Sequence, residues 1–235
     1  MKAGVLYLIP TTLGDAPVAE ILPGIVSEVI SRLTYFIVEN EKSARRFIKL
    51  VCPDKKQSEL VIFQLDKHDK SAYLEEFVSP LLQGKDLGLL SEAGLPAIAD
   101  PGSLVVALAH KKNIAVKPLT GPSSLMLALM ASGMNGQKFS FEGYLPKENT
   151  ALKRQIKFLE KRSSLENRAI ICIETPYRNN KLLENFLKFL HPDTRLCITA
   201  DLTLATEFIK TLPVKQWQKQ KPDLHKRPTV FVFQA

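Results

Sequence analysis

Five short apolar runs, each followed by a stretch with helical periodicity, constrain the fold of the first half of this chain. The runs are GVLYLI (4–9), TYFIVE (34–39), LVIFQL (60–65), DLGLL (86–90) and IAVKPL (114–119). Helices are predicted between and after them at 25–33, 42–51, 72–82, 103–111 and 123–131. In YLEEFVSPLL, for example, the apolar side chains fall at Tyr73, Leu74, Phe77, Val78, Leu81 and Leu82, the repeat of one helical face. Strands alternating with helices of this length imply a parallel sheet wrapped by helices. Ligands of such sheets bind beyond the carboxyl ends of the strands. That rule puts PTTLGD, SEAGLPAIADPGS and TGPSS on one functional edge.

The alternation stops near residues 133–138. FSFEGYLP (139–146) reads as a strand or extended crossover, followed by a charged helix (150–162), the strand AIICIE (169–174) and a helix (180–190). RLCITAD, EFIKTL and TVFVFQ then follow with little helix between them, which suggests a mixed sheet. The expectation is an α/β protein of two domains, 1–136 with a mostly parallel sheet and 137–235 with a mixed one. A hydrophobic content of 45% supplies the cores, so disorder is not expected.

The formal charge of +8 suits a polyanionic partner, although the excess is spread along the chain. Cys52, Cys172 and Cys197 are far apart and odd in number, which argues for free thiols in a reducing cytoplasm and against a disulfide framework. The four histidines show no ligand spacing, so no metal is expected. AGVLYLIP is too short for a membrane span and carries no signal-peptide cleavage pattern. A cytoplasmic protein without a membrane partner is therefore expected.

The three loops exclude several chemistries. PTTLGD lacks the glycines of a dinucleotide fingerprint, and TGPSS has no Lys after its Gly and is not a phosphate loop. No G-x-S-x-G elbow supports a hydrolase triad. Exposed backbone groups flanked by small side chains suit an uncharged or zwitterionic ligand with an adenosine moiety better than a triphosphate.

LYLIPTTLGD, LLSEAGLPAIADPGS, PLTGPSSLMLALMASGM, FSFEGYLP and IETPYR occur in the order and approximate spacing of a known pattern. With them the chain resembles the tetrapyrrole methylase superfamily of S-adenosylmethionine-dependent methyltransferases. Within it the chain is most similar to the ribosomal RNA small subunit methyltransferase I branch, which methylates a cytidine 2′-hydroxyl. FIVENEKSARRFIKL is similar to that branch's acidic-then-basic segment. Against the branch pattern, Glu92 replaces an Asp, Thr120 a Gly and Asn40 an acid, and Ala200 and Leu204 stand at charged positions. The first loop lacks a Gly-Asn pair, and the branch often continues into a small C-terminal extension.

The resemblance implies two α/β domains with S-adenosylmethionine in the cleft between them, a homodimer, and ribosomal RNA or the small ribosomal subunit as partner. It implies donor contacts from Pro10 and Thr11, from Glu92, Ala93, Gly94, Pro96 and Ile98, and from Thr120, Gly121, Pro122, Ser123 and Ser124. The SEAGLP turn would pass close to the donor, where a side chain at Gly94 would intrude. Methyl transfer from a sulfonium is an in-line displacement, and alignment of the two reactants can supply roughly 7–11 kcal/mol of such a barrier. A ribose hydroxyl is a poor nucleophile, so a positioned base helps as its proton leaves. Glu92, Glu142 and Glu174 are the candidates for catalysis, and Arg45, Arg46 and Arg178 for holding substrate phosphates. Two other readings stay open: a methyltransferase of the same fold acting on a small, tetrapyrrole-type molecule, and a donor-binding module without turnover.

Overall fold

The computed structural model describes residues 2–65 and 73–235. The chain divides into two compact units, Met1–Ser123 and Ser124–Ala235. In the first, β1 (Val5–Ile9) leads to α1 (Val18–Ile21) and α2 (Gly24–Arg32). Next come β2 (Tyr35–Val38), α3 (Glu41–Val51) and β3 (Val61–Gln64). The helices α4 (Leu74–Phe77) and α5 (Ser79–Leu82) precede β4 (Leu87–Leu90), α6 (Ser103–Lys111) and β5 (Ala115–Pro118).

All neighbours in this sheet are parallel, in the order β3-β2-β4-β1-β5. Because successive side chains of a strand point to opposite faces, each strand feeds two cores. Tyr7, Ile9, Phe36 and Val38 pack with Val29 and Ile30 of α2 and Ile48 of α3. Leu6, Ile37 and Leu89 pack with Leu81 of α5 and Val105 and Ala109 of α6. At the start of α3, Asn40 accepts a hydrogen bond from Ser43 N at 3.0 Å, a cap of about 1 kcal/mol.

One expected helix is broken. The stretch predicted as a single helix over 72–82 forms two short ones, with Pro80 in the first turn of α5. Proline lacks the N–H that would continue the ladder, and its ring opposes the carbonyl four residues back. Residue 72 lies outside the described residues.

In the second unit, α7 (Ser124–Ser132) precedes β6 (Phe139–Tyr144), α8 (Asn149–Glu166), β7 (Ala169–Ile173) and α9 (Asn179–Phe189). β8 (Arg195–Ala200), β9 (Phe208–Pro213), α10 (Val214–Trp217) and β10 (Thr229–Gln234) complete it. The strand order is β6-β7-β10-β8-β9; β6 and β7 are parallel and the remaining pairs antiparallel, a mixed sheet. The helix over 124–132, placed by the sequence reading beside the first sheet, packs here against β10, β9 and β8. The core gathers Ile156 and Leu159 of α8, Phe186 of α9, and Phe231 and Phe233 of β10 around Trp217. The buried indole of Trp217 donates to Leu196 O at 2.8 Å. No helix among the described residues is long and apolar enough to cross a membrane.

Candidate functional site

Three adjacent strands, β4, β1 and β5, end at matched levels, with Ile9 beside Leu90 and Leu8 beside Pro118. The chain leaves β1 towards β2 and leaves β4 in the opposite direction towards β5. Such a reversal is where ligands of open α/β sheets bind. The loops 10–15, 91–102 and 119–123 therefore start side by side.

Their contacts are close enough to dictate residue types. Thr11 N donates to Gly94 O at 2.9 Å, tying the first loop to the second. Gly94 has φ +74°, and a Cβ there would lie 3.1 Å from Leu13 Cδ2 and 3.2 Å from Pro122 O, touching both other loops. A Cβ on Gly121 would lie 2.2 Å from Pro10 Cβ, so the first and third loops meet only because residue 121 has no side chain. Beside any ligand, the protein's own first and third loops already bound the space at Gly94. At this junction the Thr11 hydroxyl is buried and has no hydrogen-bonding partner among the described residues. An orphaned buried hydroxyl is costly and is a candidate ligand contact.

The second loop is held in a strained shape. Ala97 (φ 66°) and Ala99 (φ 62°) are both left-handed, which L-residues avoid. Between them Ile98 is half exposed. The Asp100 carboxylate braces the turn by accepting from Ala97 N at 2.9 Å and Gly102 N at 2.7 Å. Burial pushes the Asp100 carboxyl above the usual carboxylate range, against the pull of the Gly102 N–H. The role of Asp100 is not among the expectations drawn from the sequence. Its signal was an Asp placed to accept backbone N–H groups just ahead of a helix.

Glu92 lies on the same loop, and its backbone N–H donates to Glu39 Oε1 at 3.3 Å. It lines a groove of about 210 Å³ together with Thr11, Asp15, Arg46 and Phe47. Arg46 is exposed and pairs with Asp15 at 3.0 Å, an interaction worth little in water. Arg45 is more committed: it binds Glu41 at 2.7 Å and donates to Gln57 O at 2.7 Å. Of the catalytic candidates, Glu142 and Glu174 belong to the second unit. Glu142 on β6 pairs with Arg162 at 3.4 Å. Glu174, just past β7, is buried; it accepts from Thr175 N at 2.7 Å and pairs with Arg178 at 3.0 Å. Among the described residues no cluster of His, Cys, Asp or Glu could hold a metal ion.

The family profile described as Tetrapyrrole (Corrin/Porphyrin) Methylases matches residues 14–218. The chain belongs to this family. It is 26% identical over 245 residues to the ribosomal RNA small subunit methyltransferase I of Buchnera aphidicola, covering 99% of this chain and 78% of that one. With the protein of the same name from Bacillus subtilis it shares 30% over 208 residues, 88% of this chain and 67% of the relative. A crystal structure of diphthine synthase superposes with a TM-score of 0.68 at 14% identity, covering 99% of this chain and 90% of the other, which shows the shared methylase fold.

Proposed function

We propose that this methyltransferase, with S-adenosylmethionine as donor, methylates a ribose 2′-hydroxyl of small-subunit ribosomal RNA. The observation that carries this reading is the convergence of the 10–15, 91–102 and 119–123 loops at one sheet edge, where Gly94 and Gly121 let backbones touch. The matched relatives, named ribosomal RNA small subunit methyltransferase I, support ribosomal RNA as the acceptor.

The residues present fit the donor. Backbone groups at 93–96 and 120–123, flanked by small side chains, offer hydrogen bonds without charge, and the partnerless Thr11 hydroxyl adds one more. When bound, S-adenosylmethionine supplies a methyl group activated by its sulfonium. Pro10, Thr11, Ala93, Gly94, Pro96 and Ile98, with Thr120 to Ser124, are the residues that would hold it. Glu92, at the edge of the groove, would accept a hydrogen bond from the acceptor hydroxyl and take its proton as the methyl group passes from the donor sulfur, left as a neutral thioether, to that oxygen. Arg46 steers a neighbouring phosphate; its exposed pair with Asp15 exchanges readily. The same resemblance supports a homodimer working in the cytoplasm.

Incubation of the protein with labelled S-adenosylmethionine and small ribosomal subunits from cells lacking its gene tests the reading. Label is expected in one ribose of the subunit RNA, and mass mapping should find that methyl group missing from those cells. Label appearing only in small metabolites would overturn the acceptor, and tight donor binding without any transfer would overturn the activity. Light scattering that gives one chain's mass would overturn the dimer.

A further inference from the structure

The parallel pair β6 and β7 ends with Tyr144 beside Ile173, so the segments after them emerge together. Between these segments and the first turns of α8 and α9 lies a second cavity, of about 340 Å³. That volume is within the range of small-molecule sites. Its apolar wall comes from Leu145, Leu152 and Leu182, and its rim carries Lys147, Arg178 and Lys181. The one carboxylate on the lining is Glu174.

That carboxylate is spent on Arg178. The Glu174 side chain is 3% exposed, whereas Arg178 reaches out at 35% with Nη2 fixed at 3.0 Å. A guanidinium is a planar fork of several donors, so one anchored nitrogen leaves the others oriented in advance. Lys147 makes no ion pair with a described residue, and Lys181 has only an exposed partner in Glu184 at 3.2 Å. With Glu184 counted beside Glu174, three cations face two carboxylates, which leaves the rim net positive above an apolar wall on which a base can rest. From this juxtaposition of a preset arginine, an unpaired Lys147, a loosely held Lys181 and an apolar wall, we infer that the cavity is a subsite for one nucleotide of the single-stranded RNA flanking the methylated position. Lys147, Arg178 and Lys181 hold its phosphate there, and Glu174 acts as the positioning residue for Arg178. The inference rests on the RNA reading above.

Fluorescence anisotropy of the full chain with a labelled single-stranded ribosomal RNA fragment, titrated at several salt concentrations, tests it. K147A/K181A should weaken binding at low salt at least tenfold and flatten the plot of log affinity against log salt, by about 0.7 for each phosphate contact removed. Affinity for S-adenosylhomocysteine should be unchanged. E174Q removes a negative charge beside the phosphate, so simple electrostatics would tighten RNA binding; a positioning role loosens it. A double variant with wild-type affinity and slope overturns the subsite, and tighter binding by E174Q overturns the role of Glu174. Cytidine monophosphate binding that the lysine substitutions abolish, with RNA affinity untouched, overturns RNA as the occupant in favour of a free nucleotide. Wild-type protein that ignores RNA at every salt concentration would sink the acceptor proposal itself, a failure distinct from these.

Discussion

Replacing Asp100 by alanine should disable donor binding without unfolding the protein. Two left-handed alanines cost roughly 2–4 kcal/mol together, at Ala97 and Ala99. Against this stand the bonds from Ala97 N and Gly102 N to the carboxylate, each of the order of 1.5–3 kcal/mol for a charged acceptor. D100A deletes both bonds and leaves the strain, so the loop relaxes. A shift of about 2 kcal/mol or more corresponds to over tenfold in population, and donor affinity should fall at least that far. In D100N, one oxygen can still accept from both N–H groups, as Oδ1 does now, and affinity should stay closer to wild type. Calorimetry with S-adenosylhomocysteine reads the affinity, and hydrogen exchange at residues 97–102 reads the loop. The carboxyl is raised by burial, so its contribution to stability is largest at low pH and is lost as pH rises through its folded pKa. Acidification should therefore stabilise the wild type relative to D100N. Unchanged affinity together with unchanged exchange protection in D100A would refute the brace.

E92Q should lower turnover at saturating substrate at least about tenfold, roughly 1.4 kcal/mol of barrier, with a smaller change in donor affinity. E92D should keep most of the activity, and wild-type turnover in E92Q would assign Glu92 to structure alone. G121A brings a methyl group 2.2 Å from Pro10 Cβ; overpacking of about 1–3 kcal/mol should lower Tm by several degrees, and an unchanged Tm would show that the first loop yields freely. Burial pushes all three thiols up, but only Cys52 is partly exposed, so a thiol reagent should label it first in the folded protein while Cys172 and Cys197 stay hidden; rapid modification of either would contradict the packing of the second sheet.

The architecture was legible because its signal is periodic. Each of the five runs in the first half became a strand within a residue or so of its expected ends, and both sheets have the expected character. The single-turn helices α1 and α10 escaped, since four residues are too few to display a 3.6-residue period. Proline chemistry outweighed a good apolar stripe at Pro80. At the site, the loops themselves could be read, but their internal economy could not. That a Cβ on Gly121 would meet Pro10, or that Asp100 would hold two strained alanines, depends on contacts between segments many residues apart. Arg45 looked like a phosphate ligand in a basic run; its capture by Glu41 and the Gln57 carbonyl is a matter of geometry.

The place of β10 in its sheet orders events during synthesis. Residues 229–234 form the middle strand, hydrogen-bonded to β7 on one side and β8 on the other, and all six are buried. Until they are made, both neighbours present open edges, the surfaces along which chains aggregate. The first sheet, whose last strand ends at Pro118, can close while the second is still waiting. Cells carrying a premature stop ahead of residue 229 should thus accumulate not a weakened enzyme but an intact first unit joined to a sticky, unfinished sheet, which is a substrate for chaperones and proteases.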